Sequence, residues 1–208
     1  DASKYQAELL LRQAFAGGLA GSVYRVGYIA PHSISGRFQP NIQQNYVSLY
    51  VRACTCLGMA PYLPERKLQP TPVDSAARAI LTLLTRAEAD GSTYYIQTPH
   101  TISHYDIQRV LHAFGYALRL LSLEDFIARA RQLPDVEELL AAMPGVEART
   151  VPADSIRSRR ELLRLGFEYP APTSAWLASF IRHAIEVGFL EQPRFWDASV
   201  PVVGLASV

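Results

Sequence analysis

The residue that most invites a chemical role is Lys4, because lysine is rare in this chain. Of its twenty basic residues only two are lysines, Lys4 and Lys67, and the rest are arginines. A lysine ammonium is a compact point charge, which suits lowering the pKa of a neighbouring hydroxyl or contacting ribose hydroxyls. The alternative is an ordinary exposed lysine on a helix. The neighbouring helix and strand are needed to distinguish a chemical role from an ordinary exposed lysine.

The elements that would position Lys4 are predicted as a helix followed by a strand. Residues 3–15 carry apolar side chains at helical spacing, and Gly17-Gly18 marks the end of that helix. Ser22–Ala30 predicts a strand whose apolar residues do not alternate, as in a strand buried on both faces. The stretch Gly17–Gly21 superficially resembles a phosphate-binding loop, but such a loop follows a strand and opens a helix. We therefore interpret it as a turn.

The remaining pattern predicts an α/β fold with a mainly helical second half. A helix over 41–57, a turn over 58–64 and a helix capped by Thr71 separate the first strand from a second one, Thr93–Gln97. This βαβ order predicts a parallel sheet. A capping box at Ser103 opens the second half. Its further helices are predicted to begin at Ser122, to span Pro134–Met143, to run from Asp154 to Gly166 and to span Ala175–Val187.

Composition excludes several classes of function. The net charge of +1 gives no reason to expect nucleic acid. No apolar run approaches the length of a membrane span, and the apolar tail Val200–Val208 is too short for one. Cys54 and Cys56 are too few for a metal cage and too closely spaced for a favourable disulfide. His100 and His104 are separated by a predicted helix cap, so we interpret them as structural or exposed and expect no metal site.

A group of arginines near the end of the chain admits two interpretations. Four of them lie on the helix predicted to begin at Asp154, namely Arg157, Arg159, Arg160 and Arg164. A solvated helix face is the first interpretation. The second is a docking surface for an acidic partner protein.

Several short motifs, in this order, resemble those of a known family. They are Ser3-Lys4-Tyr5-x-Ala7-Glu8, Tyr24-Arg25-Val26-Gly27-Tyr28-Ile29, Ser33-x-x-Gly36, Thr71-Pro72-Val73-Asp74 and Gly188-Phe189-Leu190. Together they resemble the thioester reductase domains that terminate nonribosomal peptide and polyketide synthases. These domains are extended short-chain dehydrogenases/reductases, and the resemblance covers nearly the whole chain.

The resemblance implies an activity, a cofactor and a partner. The family reduces an acyl or peptidyl thioester, held on the phosphopantetheine arm of a carrier protein, with NADPH. The product is an aldehyde or, in some members, an alcohol. Lys4 matches the family lysine that binds the nicotinamide ribose and lowers the pKa of a catalytic tyrosine. The residues expected to line the nicotinamide pocket are Val26, Gly27, Tyr28 and Ile29.

Two departures from the family pattern shape the expected architecture. The family usually has a proline where this chain has Val26, and its glycine-rich cofactor loop and catalytic tyrosine lie upstream of the matched motifs. We therefore expect the C-terminal part of a Rossmann-like domain over 1–100 and a helical subdomain facing substrate and carrier protein over 101–208. Without the first half of the reductase domain, the chain is expected to be inactive, and its open sheet edge to favour self-association. Cytoplasmic localisation is also expected.

Two other functions stay open from the sequence. The chain could belong to another extended short-chain reductase, such as a nucleotide-sugar epimerase. It could also be a noncatalytic module that docks a carrier protein through the arginine-bearing helix.

Overall fold

The computed structural model describes residues 2–134, 137–142 and 153–193, and all structural statements below concern those residues. Its helices are α1 (Ala2–Ala16), α2 (Tyr46–Leu57), α3 (Val73–Arg86), α4 (His104–Ala113), α5 (Leu123–Ala130), α6 (Glu137–Ala142), α7 (Ala153–Arg164) and α8 (Ser174–Glu186), with a short 3-10 helix, Ile42–Gln44. The strands are β1 (Gly21–Val26), β2 (Ile29–Ala30), β3 (Met59–Pro61), β4 (Lys67–Leu68), β5 (Thr71–Pro72), β6 (Asp90–Ile96), β7 (Ile102–Ser103) and β8 (Arg119–Leu121). The predicted α/β class is confirmed.

The chain forms two compact units, and each is assembled from separate segments. The first unit contains residues 1–29, 70–99 and 150–170, and the second contains residues 30–69, 100–149 and 171–208. The division into 1–100 and 101–208 stays a prediction. One boundary between the units lies between Pro99 and His100.

The first unit is built around the predicted parallel strand pair. β1 and β6 run parallel, with Val23 opposite Thr93 and Val26 opposite Ile96. The core beside this pair combines side chains from α3, β6, α7 and the segment after α7, namely Ala76, Ala79, Leu83, Tyr94, Ile96, Leu162, Phe167 and Tyr169. By contrast α1 contributes no buried residue.

Three local predictions in this unit are wrong, each for a physical reason. The strand predicted over Ser22–Ala30 ends at Val26, because the chain leaves β6 after the hydrogen bond from Gly27 N–H to Ile96 O and Ile29–Ala30 then pairs with β5. Its residues are partly exposed and not buried on both faces. Thr71 does not cap α3, since its hydroxyl accepts a hydrogen bond from Thr98 N at 2.9 Å.

The second unit packs α2, α4, α5 and α8 around aromatic and aliphatic side chains. Fully buried members include Tyr50, Phe126, Phe180 and Leu111. The capping box predicted at Ser103 is confirmed, with reciprocal hydrogen bonds between Ser103 and Asp106. The turn predicted over 58–64 is wrong, because Met59–Pro61 forms β3, which pairs in parallel with β8. The predicted helix end at Met143, the side chain of Asp154 and the tail Val200–Val208 lie outside the described residues.

Within the described ranges, none of the helices has both the length and the apolar character that crossing a membrane requires.

His104 lies in the core of the second unit, within a buried polar group. Its Nε2 lies 3.1 Å from Tyr46 Oη and its Nδ1 lies 3.3 Å from the carbonyl oxygen of Arg66. The Tyr50 ring stands edge-on to the imidazole at 4.9 Å. Burial lowers the pKa of His104 from its ordinary value of 6.5, with the positive charge of Arg66 adding to the effect.

This lowered pKa predicts a specific dependence of stability on pH. Below about pH 6.5 the unfolded chain binds a proton at this histidine more readily than the folded chain does. The contribution of neutral His104 to the free energy of unfolding is therefore fully present above that pH. As the pH falls below it, the free energy of unfolding decreases by up to about 1.4 kcal/mol per pH unit. Chemical denaturation between pH 7 and 5.5 should show a smaller fall in stability for His104→Gln than for the unsubstituted protein. His112→Gln, a change to an exposed histidine on the same helix, should leave the slope unchanged. Equal slopes for all three proteins would contradict the assignment.

Candidate active site

An ion-pair network fixes α1 against β1. Arg25 on β1 donates from Nε to Glu8 Oε2 at 3.0 Å and from Nη2 to Glu8 Oε1 at 2.6 Å. Arg12 adds a contact to the same carboxylate at 2.9 Å. The Arg25 guanidinium also lies over the Tyr95 ring at 5.3 Å and donates to Tyr95 Oη, which ties α1 and β1 to β6.

The charges in this network reinforce one another. Hydrogen bonds from Arg25 lower the pKa of Glu8 below its ordinary value, although partial burial opposes the shift. The same carboxylate raises the pKa of Arg25. Glu8 therefore stays ionised at neutral pH and keeps its two-pronged contact with the strand.

The register between α1 and β1 can be followed from one end to the other. Phe15 packs against Gly21 at the start of the strand, and Glu8 contacts Arg25 near its end, so helix and strand run antiparallel. Lys4 precedes Glu8 by four residues and lies on the same helix face, about 6 Å further along the axis. The same distance covers about two strand residues beyond Arg25. By this count, ideal geometry predicts Lys4 near the level of Gly27, where β1 has ended.

The side chain of Lys4 itself is exposed. In residues 2–134, 137–142 and 153–193 it has no hydrogen-bond or ion-pair partner. Its ammonium is thus not committed to a structural contact in the part of the chain that the structure describes.

The four residues predicted to contact the cofactor follow one another at the carboxyl end of β1. Val26 and Gly27 are exposed, whereas Tyr28 and Ile29 are half-buried. The carbonyl of Tyr28 accepts a hydrogen bond from Thr71 N at 2.9 Å. Because β1 and β6 are parallel, their carboxyl ends lie side by side, which is where ligands bind in open α/β sheets. The prediction that Lys4 serves the same strand end as Val26 and Gly27 is consistent with the direction of α1 along β1.

This strand end also suits the nicotinamide end of a dinucleotide. Gly27 presents backbone without a side chain, and a Cβ there would come within 3.1 Å of the Gln97 side chain. The ammonium of Lys4, which has no partner among the described residues, is predicted to contact ribose hydroxyls at this strand end. The residues present therefore fit this part of the cofactor.

Sequence reasoning missed the residues that set this geometry. Glu8 and Arg25 stand in the quoted motifs, but no role was assigned to them. The charge pattern could have indicated them, since Glu8 follows Lys4 by one helical turn and a cation of opposite charge, Arg25, lies on the next strand. No sequence signal indicated that Thr71 would bind the backbone after β6.

The arginines on α7 do not form a uniformly basic surface. Arg164 makes an ion pair with Glu161 at 2.6 Å, and Arg157 donates to Ser92 Oγ at 3.3 Å. The hollow beside α7 is also lined by Glu88 and Asp90. Opposite charges are therefore interspersed along the surface that was considered for an acidic partner.

Comparison with known proteins gives matches along most of the chain. A family model of the NAD-binding type, described as male sterility protein, matches residues 1–80. Aldehyde reductase lnbA of Aspergillus flavus is 30% identical over 146 residues, which cover 69% of this chain and 13% of that protein. Glycine betaine reductase ATRR of Emericella nidulans is 25% identical over 201 residues, which cover 92% of this chain and 16% of that protein.

A solved structure is similar in fold as well as in sequence. The terminal R domain from the myxalamid PKS-NRPS biosynthetic pathway is 28% identical, with a TM-score of 0.76. The match covers 92% of this chain and 50% of that domain. The chain therefore spans half of a solved reductase domain and a small part of the curated relatives that it matches.

Proposed function

Because the chain belongs to the thioester reductase domains of the extended short-chain dehydrogenase/reductase family, we propose that it is part of an NADPH-dependent reductase. This reductase releases an acyl or peptidyl group from a carrier protein as an aldehyde. The group is held as a thioester on the phosphopantetheine arm, so the carrier protein is the proposed partner. Since the chain spans 50% of the similar R domain, the proposal concerns the longer reductase that includes this chain.

The observation that carries the proposal is the register of α1 on β1. The Glu8–Arg25 ion pair joins α1 to β1, and one helical turn counted back from Glu8 supports a position of Lys4 near the carboxyl end of β1. An ammonium at this point can serve a dinucleotide lying across the strand ends, whereas a lysine elsewhere on α1 could not. The exposed backbone at Gly27 leaves room for a flat ring against the strand end.

Each of these residues has a proposed task. When bound, the nicotinamide cofactor supplies the hydride that reduces the thioester carbonyl. Lys4 holds the ribose hydroxyls and, as a positive charge, lowers the pKa of the hydroxyl that donates a proton to the developing oxyanion. Val26, Gly27, Tyr28 and Ile29 form the wall against which the ring rests and exclude water from one of its faces.

The test is a reduction assay with the full reductase domain that includes this chain. We expect NADPH to be consumed when the domain meets a carrier protein loaded with an acyl thioester, and an aldehyde to form in equal amount. The same acyl group supplied as a free acid should give no turnover. NADH in place of NADPH tests the preference for the phosphorylated cofactor. Turnover of a nucleotide sugar, with none of the thioester, would overturn the proposal in favour of the epimerase-like alternative.

A further inference from the structure

The second unit contains a hollow of about 690 Å³ that is lined by none of the residues proposed for the cofactor. It is bordered by the segment before α2, by α2 and by the end of α8, and its walls include Phe38, Gln43, Arg52, His183 and Phe189. Two of these side chains can carry positive charge, and none of the residues that line it is a carboxylate. The hollow in the first unit beside α7 differs, since Glu88, Asp90 and Glu161 line it together with its arginines.

Arg52 is held in place without using its hydrogen-bond donors. Its guanidinium carbon lies 5.4 Å from the centroid of the Phe189 ring, which restricts the side chain by stacking. Among the described residues no acceptor takes a hydrogen bond from this guanidinium, and the imidazole of His183 likewise has no partner there. By contrast, Arg12, Arg25 and Arg164 all face a carboxylate. Arg52 therefore presents a preorganised fork of free donors to the hollow.

The Gly188-Phe189-Leu190 motif builds the wall on which Arg52 stacks. Gly188 has a φ of 73°, a left-handed conformation that ends the helical path after α8. The next two N–H groups, of Phe189 and Leu190, both donate to Ala184 O, and the Leu190 side chain is buried. These contacts fix the Phe189 ring beside Arg52. The motif thus positions an aromatic ring beside Arg52, which its sequence does not reveal.

The chemistry of the hollow selects a particular kind of ligand. A guanidinium fork matches the paired oxygens of a phosphate group, and an imidazole and the amide of Gln43 add donors for a third oxygen. Phe38 and Phe189 provide apolar surface for the organic part of the same molecule. The absence of a carboxylate among the residues lining this hollow removes the repulsion that an anion would meet beside α7.

We propose that this hollow binds a phosphate ester, with Arg52 and His183 on the phosphate and the two phenylalanines beside the organic chain. Such an ester can come from the phosphopantetheine arm of a carrier protein or from a free metabolite. The first source rests on the proposed function, whereas the site itself does not. Binding can be measured without any reduction, so failure of the site and failure of the proposed activity are distinguishable.

The experiment compares 4′-phosphopantetheine, pantetheine and inorganic phosphate by titration calorimetry against the full reductase domain that includes this chain. We expect 4′-phosphopantetheine to bind at least about tenfold more tightly than pantetheine, since one charge-assisted hydrogen bond accounts for such a ratio. Inorganic phosphate should bind more weakly than 4′-phosphopantetheine and compete with it. Arg52→Gln should lose at least about tenfold in affinity, and Arg52→Lys, which keeps the charge but not the fork, should lie between.

Controls separate the site from general attraction of anions. Arg129→Gln removes an exposed arginine of α5 in the same unit and should leave the affinity unchanged. If Arg52→Gln unfolds because the stacking on Phe189 is lost, the affinity for 4′-phosphopantetheine is measured with His183→Gln as the second variant. Equal affinity for 4′-phosphopantetheine and pantetheine, or equal losses in the Arg52 and Arg129 variants, would overturn the proposal. Holo and apo carrier protein then assign the source: tighter binding of the holo form indicates the tethered arm, and equal binding indicates a free ester.

Discussion

Gly36→Ala is expected to lower the free energy of unfolding by about 3 kcal/mol or more. Gly36 has a φ of 66°, where a side chain strains the backbone. A Cβ at this position would also lie 2.1 Å from the carbonyl carbon of Ser179 and 2.4 Å from Phe180 N, both in the backbone of α8. Helix backbone cannot yield as a flexible side chain can, so the loop or the helix would have to move. The Ser33-x-x-Gly36 motif is therefore explained by close packing of its loop on α8.

Gly188→Ala is the matched control for Gly36→Ala. Gly188 belongs to the same unit and has a φ of 73°, but among the described residues, apart from its chain neighbours, no atom lies within 4 Å of a Cβ built there. Its substitution reports the backbone strain alone, about 1–2 kcal/mol. Denaturant unfolding followed by the fluorescence of Trp176, which is buried in this unit, measures both variants. If the two variants lose the same stability, the close approach to α8 does not matter and this explanation of the motif is wrong.

Features with a local cause could be predicted from the sequence. The parallel pairing of β1 with β6 follows from the order of strand, crossover helix and strand, and the cap at Ser103 follows from its spacing to Asp106. Both depend on residues that are close in the chain or on a rule of chain topology.

Features that depend on distant partners could not be predicted in the same way. β3 pairs with β8 across about sixty residues, and a three-residue strand ending in Pro61 has no periodicity to detect. Thr71 has the composition of a helix cap, yet tertiary structure uses its hydroxyl for Thr98 N. In each case the competing partner is invisible until the chain is folded.

The candidate site shows the same division. The order of elements was enough to select Lys4 and the end of the following strand. Their common level on the sheet depends on where α1 lies along β1, which Glu8 and Arg25 fix through contacts seventeen residues apart. No residue of α1 is fully buried, and the partly buried Phe15 contacts the start of the strand at Gly21, far from Lys4. The Glu8–Arg25 ion pair therefore connects the helix that carries the Lys4 motif to the strand whose end is the candidate site.

Lys4→Ala is expected to lower kcat of the full reductase domain by about a hundredfold or more, the usual contribution of a group that assists proton transfer. The variant removes a charge that is proposed to hold the nicotinamide ribose and to lower the pKa of the proton-donating hydroxyl. KM for NADPH should rise as well, because the ribose contact is lost. The loss of activity at high pH should also move to a higher pH, since the proton-donating hydroxyl would lose its proton at a higher pKa without the ammonium beside it. Steady-state NADPH consumption across a pH series measures all three effects.

Two further variants test whether the position or merely the charge of Lys4 matters. Lys4→Arg keeps the charge but replaces a point ammonium with a planar fork, so it should recover the pKa effect better than the ribose contact. Gln6→Ala changes an exposed residue on the same helix and should leave kcat and KM unchanged. Lys4 carries no hydrogen bond or ion pair to the described residues, so its loss should not disturb the fold. A reductase that keeps its turnover with alanine at this position would remove Lys4 from the mechanism, and the register set by Glu8 and Arg25 would then serve packing alone.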